Sequence, residues 1–135
     1  MKLVEIVKTE FNSVALVQEM VELVHRLGKT AVICSDSPGF IVNRVARPYY
    51  IESLRLLEEN KSSHTQIDEL MEASGFKLGP FRLMDLIGND VNYAVSCSVY
   101  DQLGKPVRLK PSEIQKEKVR AGKLGRKSGE GYYKY

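Results

Sequence analysis

The 135-residue sequence contains no tryptophan, only two cysteines and only two histidines. Two widely separated cysteines, Cys34 and Cys97, do not supply the disulfide framework of a small secreted domain and instead fit a reducing compartment. His25 and His64 do not combine with them in a metal-ligand spacing. No apolar run approaches the ~20 residues that span a bilayer, and Glu5 interrupts the opening segment, unlike a secretory signal. We therefore predict a cytoplasmic protein with no bound metal and no membrane partner.

Signatures of nucleotide-binding loops are missing as well. Several glycines lie between residues 122 and 131, but no strand-like segment precedes them, and Arg126 rather than glycine stands before Lys127-Ser128. Neither the P-loop nor the dinucleotide-binding pattern is therefore met. We interpret these glycines as a turn that folds the tyrosine-rich end, residues 132–135, back onto the rest of the domain.

The excess of positive charge is small, because the net charge is only +3. Nine Lys or Arg residues lie between Lys105 and Lys127, against Glu113 and Glu117. Such a cluster could meet phosphates, but a solvated helix face explains it as well and is the interpretation we favour. We therefore predict no nucleic-acid partner.

The first 36 residues change pattern twice. Residues 3–7 and 30–34 are short β-prone runs, apolar as buried parallel strands are, and apolar residues recur at helical spacing between Ser13 and Leu27, before a closing Gly28. This order predicts a strand, a helix and a second, parallel strand with a right-handed crossover. Two strands and one helix cannot cover both faces of a sheet, so we expect the unit to belong to a larger sheet.

After this unit the pattern is helical throughout. Ser37 is predicted as an N-cap, with Pro38 in the first turn of a helix over 41–59, and Pro48 predicts a kink in that helix. Caps and apolar spacing predict a compact bundle of about five helices over the second part of the chain. The four further helices are expected at 65–74 after a Ser63 cap, at 80–86 after Gly79, at 90–103, and at 112–121.

Two polar residues stand in apolar surroundings. A carboxylate in an apolar strand, such as Glu5, either faces water at an edge or pairs with a group that uses its charge, for which a histidine is the natural choice. Neither His25 nor His64 suits that role, and we expect both to be ordinary surface residues. Asn43 lies in the opening turn of the long helix, where an amide is usually a cap or solvated; a role in binding or catalysis is the alternative.

Four segments at compatible spacing carry a resemblance to a known family. They are residues 1–7 (MKLVEIV), 36–44 (DSPGFIVNR), 79–85 (GPFRLMD) and 125–133 (GRKSGEGYY). Together they extend over essentially the whole chain. On these motifs the sequence resembles the C-terminal portion of the NAD-dependent L-3-hydroxyacyl-CoA dehydrogenases, which include bacterial 3-hydroxybutyryl-CoA dehydrogenases.

The resemblance implies a function and two site residues. In that family a Rossmann domain binds NAD, and a histidine accepts the proton of the 3-hydroxyl group while hydride passes to the nicotinamide. Glu5 matches the glutamate that pairs with this histidine, and Asn43 matches an asparagine near the histidine and the substrate carbonyl, so both are implied to be catalytic. The implied partners are an acyl-CoA substrate, lying against the helical domain, and a second copy of the chain in a homodimer.

The resemblance also shapes the fold expected here. We expect a mainly α protein in which residues 1–36 are a remnant strand-helix-strand unit of a truncated Rossmann sheet and residues 37–135 form the helical substrate and dimerisation domain. The family's glycine-rich fingerprint and catalytic histidine have no counterpart in this sequence. We therefore expect no NAD binding and no turnover by this chain alone.

A second class of function is compatible with the same residues. The chain could be a non-catalytic, self-associating helical module with at most weak acyl-CoA binding, which would need no NAD domain. Calorimetry with acyl-CoA and the Asn43→Ala variant tests the binding, and the mass in solution tests the self-association. Nucleic-acid binding through the basic segment is a weaker third hypothesis, which predicts a steep salt dependence.

Overall fold

The computed structural model describes residues 1–135, which divide into two compact units, Met1–Arg44 and Val45–Tyr135. The architecture is mainly α, with six helices and one two-stranded parallel sheet, as the sequence predicts. The predicted boundary between residues 36 and 37 stays a prediction.

The first unit is the predicted strand-helix-strand. Strand β1 (Leu3–Lys8) pairs in parallel with β2 (Thr30–Ser35), and the register sets Glu5 opposite Val32. Helix α1 (Val14–Arg26) connects them and is capped by the Ser13 side chain, which accepts the Leu16 N–H at 3.1 Å. Several apolar side chains of this unit are exposed, because two strands and one helix cannot enclose them.

The second unit contains most of the helical structure. Ser63 caps the helix His64–Ala73 with a reciprocal capping box that includes Gln66, as the sequence predicts. Ser112, predicted to open the last helix, is the cap of Glu113–Arg120. Two single-turn 3₁₀ helices, Val107–Leu109 and Arg126–Ser128, were not predicted. The helices are α2 (Val42–Glu58, beginning in the first unit), α3 (His64–Ala73), α4 (Pro80–Ile87), α5 (Asn89–Gln102) and α6 (Glu113–Arg120).

The start of α2 differs from the prediction. The helix begins at Val42, so Ser37 is not its N-cap and Pro38 is not in its first turn. Residues 37–41 instead form a turn in which Gly39 and Phe40 have φ angles of +75° and +46°. Two successive left-handed residues cannot continue into a helix, and this delays its start. The helix then continues through Pro48, and the predicted kink stays a prediction.

The core of the second unit includes the C-terminal tail. Leu54, Phe81 and Met84 are at most 1% exposed, and Tyr132 packs among them. The glycine-rich segment therefore does fold the tyrosine-rich end back onto the helices, as predicted. A second cluster joins Ile51, Val99 and Leu109.

Candidate functional site

The carboxylate of Glu5 accepts hydrogen bonds from the backbone of another element. Its half-buried side chain extends from β1, and Oε1 accepts the N–H groups of Ile41 at 2.8 Å and Val42 at 3.0 Å. These are among the N–H groups that have no partner within α2, and the positive end of the helix dipole lies there. A strand carboxylate therefore caps the helix that carries Asn43.

The turn before α2 directs these N–H groups to one point. Phe40 N–H donates to the Ser37 carbonyl at 2.9 Å, and Arg44 N–H donates to the Gly39 carbonyl at 3.1 Å. Left-handed residues within such a turn bring neighbouring N–H groups to the same side, which creates a concavity for an anion. Here the anion is the carboxylate of Glu5.

Asn43 is the second residue of α2 and is exposed. The carboxylate of Glu5, rather than the Asn43 amide, holds the N–H groups of Ile41 and Val42. The interpretation of Asn43 as a cap or a solvated side chain, and the alternative of a role in binding or catalysis, stay predictions. Both predicted site residues, Glu5 and Asn43, lie in the first unit. Glu5 binds the N–H group of Val42, and Asn43 is the next residue along the chain.

The two histidines have different surroundings. His25 lies exposed in the last turn of α1 and forms no hydrogen bond with Glu5, in agreement with the sequence interpretation. His64 is half-buried at the start of α3, with its ring centre 4.9 Å from that of Tyr133 and 6.0 Å from that of Phe81. Its prediction as an ordinary surface residue is wrong, because it contributes to an aromatic cluster.

The residues of the first unit do not fit NAD in the manner of a dinucleotide-binding fold. That manner requires glycines in the loop between the first strand and its helix, so that the pyrophosphate approaches the backbone. The loop after β1 contains no glycine; it is closed by Asn12, whose Oδ1 accepts the N–H and the hydroxyl of Thr9. The cleft at the carboxyl ends of the two strands is lined by one basic residue, Lys8, and two acidic ones, Glu10 and Asp36, so its charged side chains do not favour a pyrophosphate.

Two fully buried carboxylates in the second unit were not singled out from the sequence. Asp68 accepts the N–H groups of Phe81 at 2.8 Å and Arg82 at 3.0 Å, and thereby caps α4. Asp85 accepts the N–H groups of Tyr132 and Tyr133, both at 3.0 Å. A signal was available for Asp68, because it lies with Ile67 on the apolar stripe of α3, where a charge needs a partner.

A buried polar network crosses the centre of the second unit. Arg47 donates to the Asn92 carbonyl at 3.0 Å and to the Ser96 hydroxyl at 2.9 Å, and burial lowers the pKa of its guanidinium. The Gln115 side-chain amide donates to Asn92 Oδ1 at 3.1 Å. These contacts join α2, α5 and α6, and they have the form of structural packing rather than of a reactive centre.

The basic segment between residues 105 and 127 does not form a continuous positive surface. Six of its nine Lys and Arg residues contact groups of their own unit, which favours a structural role for them over phosphate binding. Burial lowers the pKa of Lys118. The pairs are Lys105 with Asp101, Lys116 with Glu113, Lys118 with the Gly131 carbonyl, Lys123 with Glu130, Arg126 with the Tyr135 ring, and Lys127 with Asp90.

Metal sites and membrane-spanning helices are the two other features considered for a functional site in such a fold. No group of three or more His, Cys, Asp or Glu side chains is arranged to hold a metal ion. None of the six helices combines the length and the hydropathy needed to cross a bilayer.

The chain is similar to enzymes of one family over nearly its whole length. A family model described as 3-hydroxyacyl-CoA dehydrogenase, C-terminal domain, matches residues 39–135. The 3-hydroxyadipyl-CoA dehydrogenase of Escherichia coli strain K12 is 48% identical over 134 residues, covering 98% of this chain and 28% of that protein. The mitochondrial hydroxyacyl-coenzyme A dehydrogenase of Sus scrofa is 40% identical over 136 residues, covering 100% of this chain and 43% of that protein.

Similarity extends to a solved structure. The (S)-3-hydroxybutyryl-CoA dehydrogenase of Ralstonia eutropha matches with a TM-score of 0.93 and 35% sequence identity, covering 100% of this chain and 48% of that chain. The chain therefore spans less than half the length of each of these three relatives.

Proposed function

Because the chain belongs to the 3-hydroxyacyl-CoA dehydrogenase family and matches its C-terminal domain, we propose that it is the substrate-side part of an NAD-dependent enzyme. The proposed reaction oxidises an L-3-hydroxyacyl-CoA to the 3-oxoacyl-CoA. The relatives named above are called hydroxyacyl-, hydroxybutyryl- and hydroxyadipyl-CoA dehydrogenases, which supports a CoA thioester with a 3-hydroxyl group as the substrate class.

The observation that carries this proposal is the contact of Glu5 with the start of α2. Glu5 and Asn43 match the family's site residues by resemblance, they lie 38 positions apart in sequence, and the Glu5 carboxylate contacts the N–H groups of the two residues that precede Asn43. Two residues from separate elements at one place are what an active site at the edge of a sheet requires.

The proposed chemistry of these two side chains follows from their functional groups. Glu5 supplies negative charge, which would stabilise an imidazolium formed when a histidine accepts the substrate's hydroxyl proton. Its Oε2 takes no part in the two backbone bonds and is the atom we assign to that histidine. Asn43 supplies a neutral N–H donor that would polarise the developing carbonyl oxygen.

NAD binding and the histidine are assigned to other parts of a longer protein or to a partner chain. The residues present do not fit the cofactor, so we propose that these 135 residues alone do not turn over. Assembly into a homodimer is proposed from the resemblance, and exposed apolar residues of the second unit, including Leu70, Leu86 and Val91, support it. A cytoplasmic location stays a prediction, since the relatives include a bacterial and a mitochondrial protein.

A chimera tests the proposed function. Residues 1–135 replace the matching part of the Ralstonia eutropha enzyme, and NADH formation from L-3-hydroxybutyryl-CoA is followed by absorbance. We expect activity, and we expect Asn43→Ala to lower kcat by about 10²-fold through loss of the donor to the developing oxyanion. Gln18→Ala, which removes an exposed amide of α1, is the matched control and should have no effect.

Two outcomes count against the proposal. A folded chimera without activity would refute the proposed reaction. Full activity of the Asn43→Ala chimera would remove the role of Asn43 in the reaction and leave the interpretations of that residue as a cap or a solvated side chain. The 135-residue chain assayed by itself should give no NADH above background.

A further inference from the structure

We propose that Glu5 is a positioning residue for Asn43, in addition to the charge it offers to a histidine. This inference rests on the proposed function only for the role of Asn43. The positioning itself concerns three groups that the structure describes: the Glu5 carboxylate, the N–H groups at the start of α2, and the Asn43 side chain.

The first step is the anchoring of Glu5. It lies inside β1, where the parallel register with β2 runs from Leu3 opposite Thr30 to Lys8 opposite Ser35. Three paired residues on its C-terminal side and two on its N-terminal side hold its backbone. The carboxylate is therefore a fixed acceptor attached to a sheet.

The N–H groups at the start of α2 need a hydrogen-bond acceptor from another element. The turn before α2 contains Phe40 at φ +46°, a conformation that a residue with a Cβ adopts only when its surroundings hold it there. Oε1 of Glu5 binds the next two N–H groups, those of Ile41 and Val42, at 2.8 and 3.0 Å. The same contact therefore holds the left-handed turn and sets where α2 begins.

The position of the first turn of α2 determines the position of Asn43. Asn43 follows Val42 directly inside the helix, and its backbone cannot move independently of the first turn. Loss of the cap would fray that turn and displace the Asn43 side chain. Displacements of about 1 Å in an active site can cost 10²-fold in rate.

Three variants separate the two roles of Glu5. Glu5→Gln keeps an acceptor oxygen on a side chain of the same length but removes the charge. Glu5→Ala removes both. Glu5→Asp keeps the charge but is one methylene shorter, so its oxygen falls short of the two N–H groups. Glu10→Ala removes an exposed carboxylate two residues beyond β1 and is the matched control.

The test is nuclear magnetic resonance on the 135-residue chain, with no substrate or cofactor. In Glu5→Ala and Glu5→Asp we expect amide exchange at Ile41 and Val42 to accelerate about 10-fold, as the loss of charge-assisted hydrogen bonds predicts. We also expect the side-chain amide signals of Asn43 to shift. Glu5→Gln should restore most of both signatures, and Glu10→Ala should change neither. The amides of the buried Val24 and Leu54 report in every variant that the first and the second unit, respectively, remain folded.

The outcomes distinguish this inference from the proposed function. Unchanged exchange at Ile41 and Val42 in Glu5→Ala would overturn the cap, and faster exchange with unchanged Asn43 signals would overturn the positioning role. Glu5→Gln introduced into the active chimera should abolish its activity because the charge for the histidine is lost, although the same substitution in the 135-residue chain restores the Asn43 signals. If the chimera itself lacks activity, the proposed function fails while the spectroscopic result on positioning stands.

Discussion

Tyr133 donates its phenolic hydrogen to Asp68 Oδ2 across 2.8 Å, although 65 residues separate the two in sequence. Asp68 is completely buried and also caps α4 through the N–H groups of Phe81 and Arg82. One carboxylate on α3 therefore holds both the next helix and the C-terminal tail. Burial, together with the Asp68 hydrogen bond and charge, raises the pKa of Tyr133.

Removing this hydroxyl should weaken the fold without breaking the cap of α4. For Tyr133→Phe we expect a loss of about 1.5 kcal/mol in the free energy of unfolding, because one hydrogen bond to a charged group is lost while Asp68 keeps two backbone donors. Denaturant unfolding measures it. Tyr100→Phe, at a half-buried position, is the control and should cost less; equal losses would mean that the Asp68 contact contributes nothing.

Substitution of Asp85 should lower the free energy of unfolding far more than Tyr133→Phe does. Its carboxylate accepts from two backbone N–H groups, from the Asn89 side chain at 2.9 Å and from the Tyr135 hydroxyl at 3.1 Å. Asp85→Ala leaves buried donors without an acceptor, so we expect a loss of about 3 kcal/mol or more. Limited proteolysis should show that the tail after residue 125 becomes susceptible. A variant whose tail stays protected would refute the anchoring role; Asp101→Ala, on the exposed part of α5, is the reference.

Two glycines with the same backbone constraint should differ in their tolerance of alanine. Gly122 and Gly125 have φ angles of +70° and +98°, so either substitution is strained. A Cβ at Gly122 meets open space, whereas a Cβ at Gly125 overlaps the backbone of Asp85. We expect Gly122→Ala to cost about 1 kcal/mol and Gly125→Ala several times as much, because the second displaces the tail. Thermal unfolding of both variants decides it, and similar melting temperatures would contradict the prediction.

Acid should weaken the attachment of the glycine-rich segment. The hydrogen bond from Lys127 lowers the pKa of Asp90, and that from Lys123 lowers the pKa of Glu130. A carboxylate whose folded pKa is depressed stabilises the fold above its unfolded pKa, near 4, and loses that stabilisation as the pH falls through the folded value. We therefore expect a stability plateau near neutral pH and a decline below about pH 4.

The Asp90→Asn variant isolates one of these pairs. Because the Asp90–Lys127 pair is partly exposed, we expect a loss below about 1 kcal/mol at pH 7 and a smaller difference from the parent protein at pH 3. Unfolding curves at the two pH values provide the measurement. A loss that is the same at both pH values would show that the effect is not electrostatic; Asp101→Asn, at a pair 3.7 Å apart, serves for comparison.

Much of the fold could be predicted from local patterns. The two strands and α1 follow from periodicity, and the start of α3 follows from the Ser63 side chain, which binds the N–H group three residues away. Gly79 before Pro80 marks the start of α4 without a side-chain cap. The predicted start of α2 is wrong because the carboxylate that caps this helix belongs to Glu5, 36 residues before Ile41 in another element. The nearby Ser37-Pro38 pair has the sequence pattern of a local cap.

The sequence by itself determined the family and the order of the elements, because motifs, apolar periods and most caps are encoded within a few positions. The roles of Glu5 and Asn43 stay predictions. Only the tertiary structure decided what the buried charges do. Glu5 caps a helix, and Asp68 and Asp85 hold the tail. Their backbone and hydroxyl donors lie between 13 and 65 residues away, so the pairing depends on packing. A charged residue within an apolar sequence pattern indicates that it has a hydrogen-bond partner, and the tertiary structure identifies that partner.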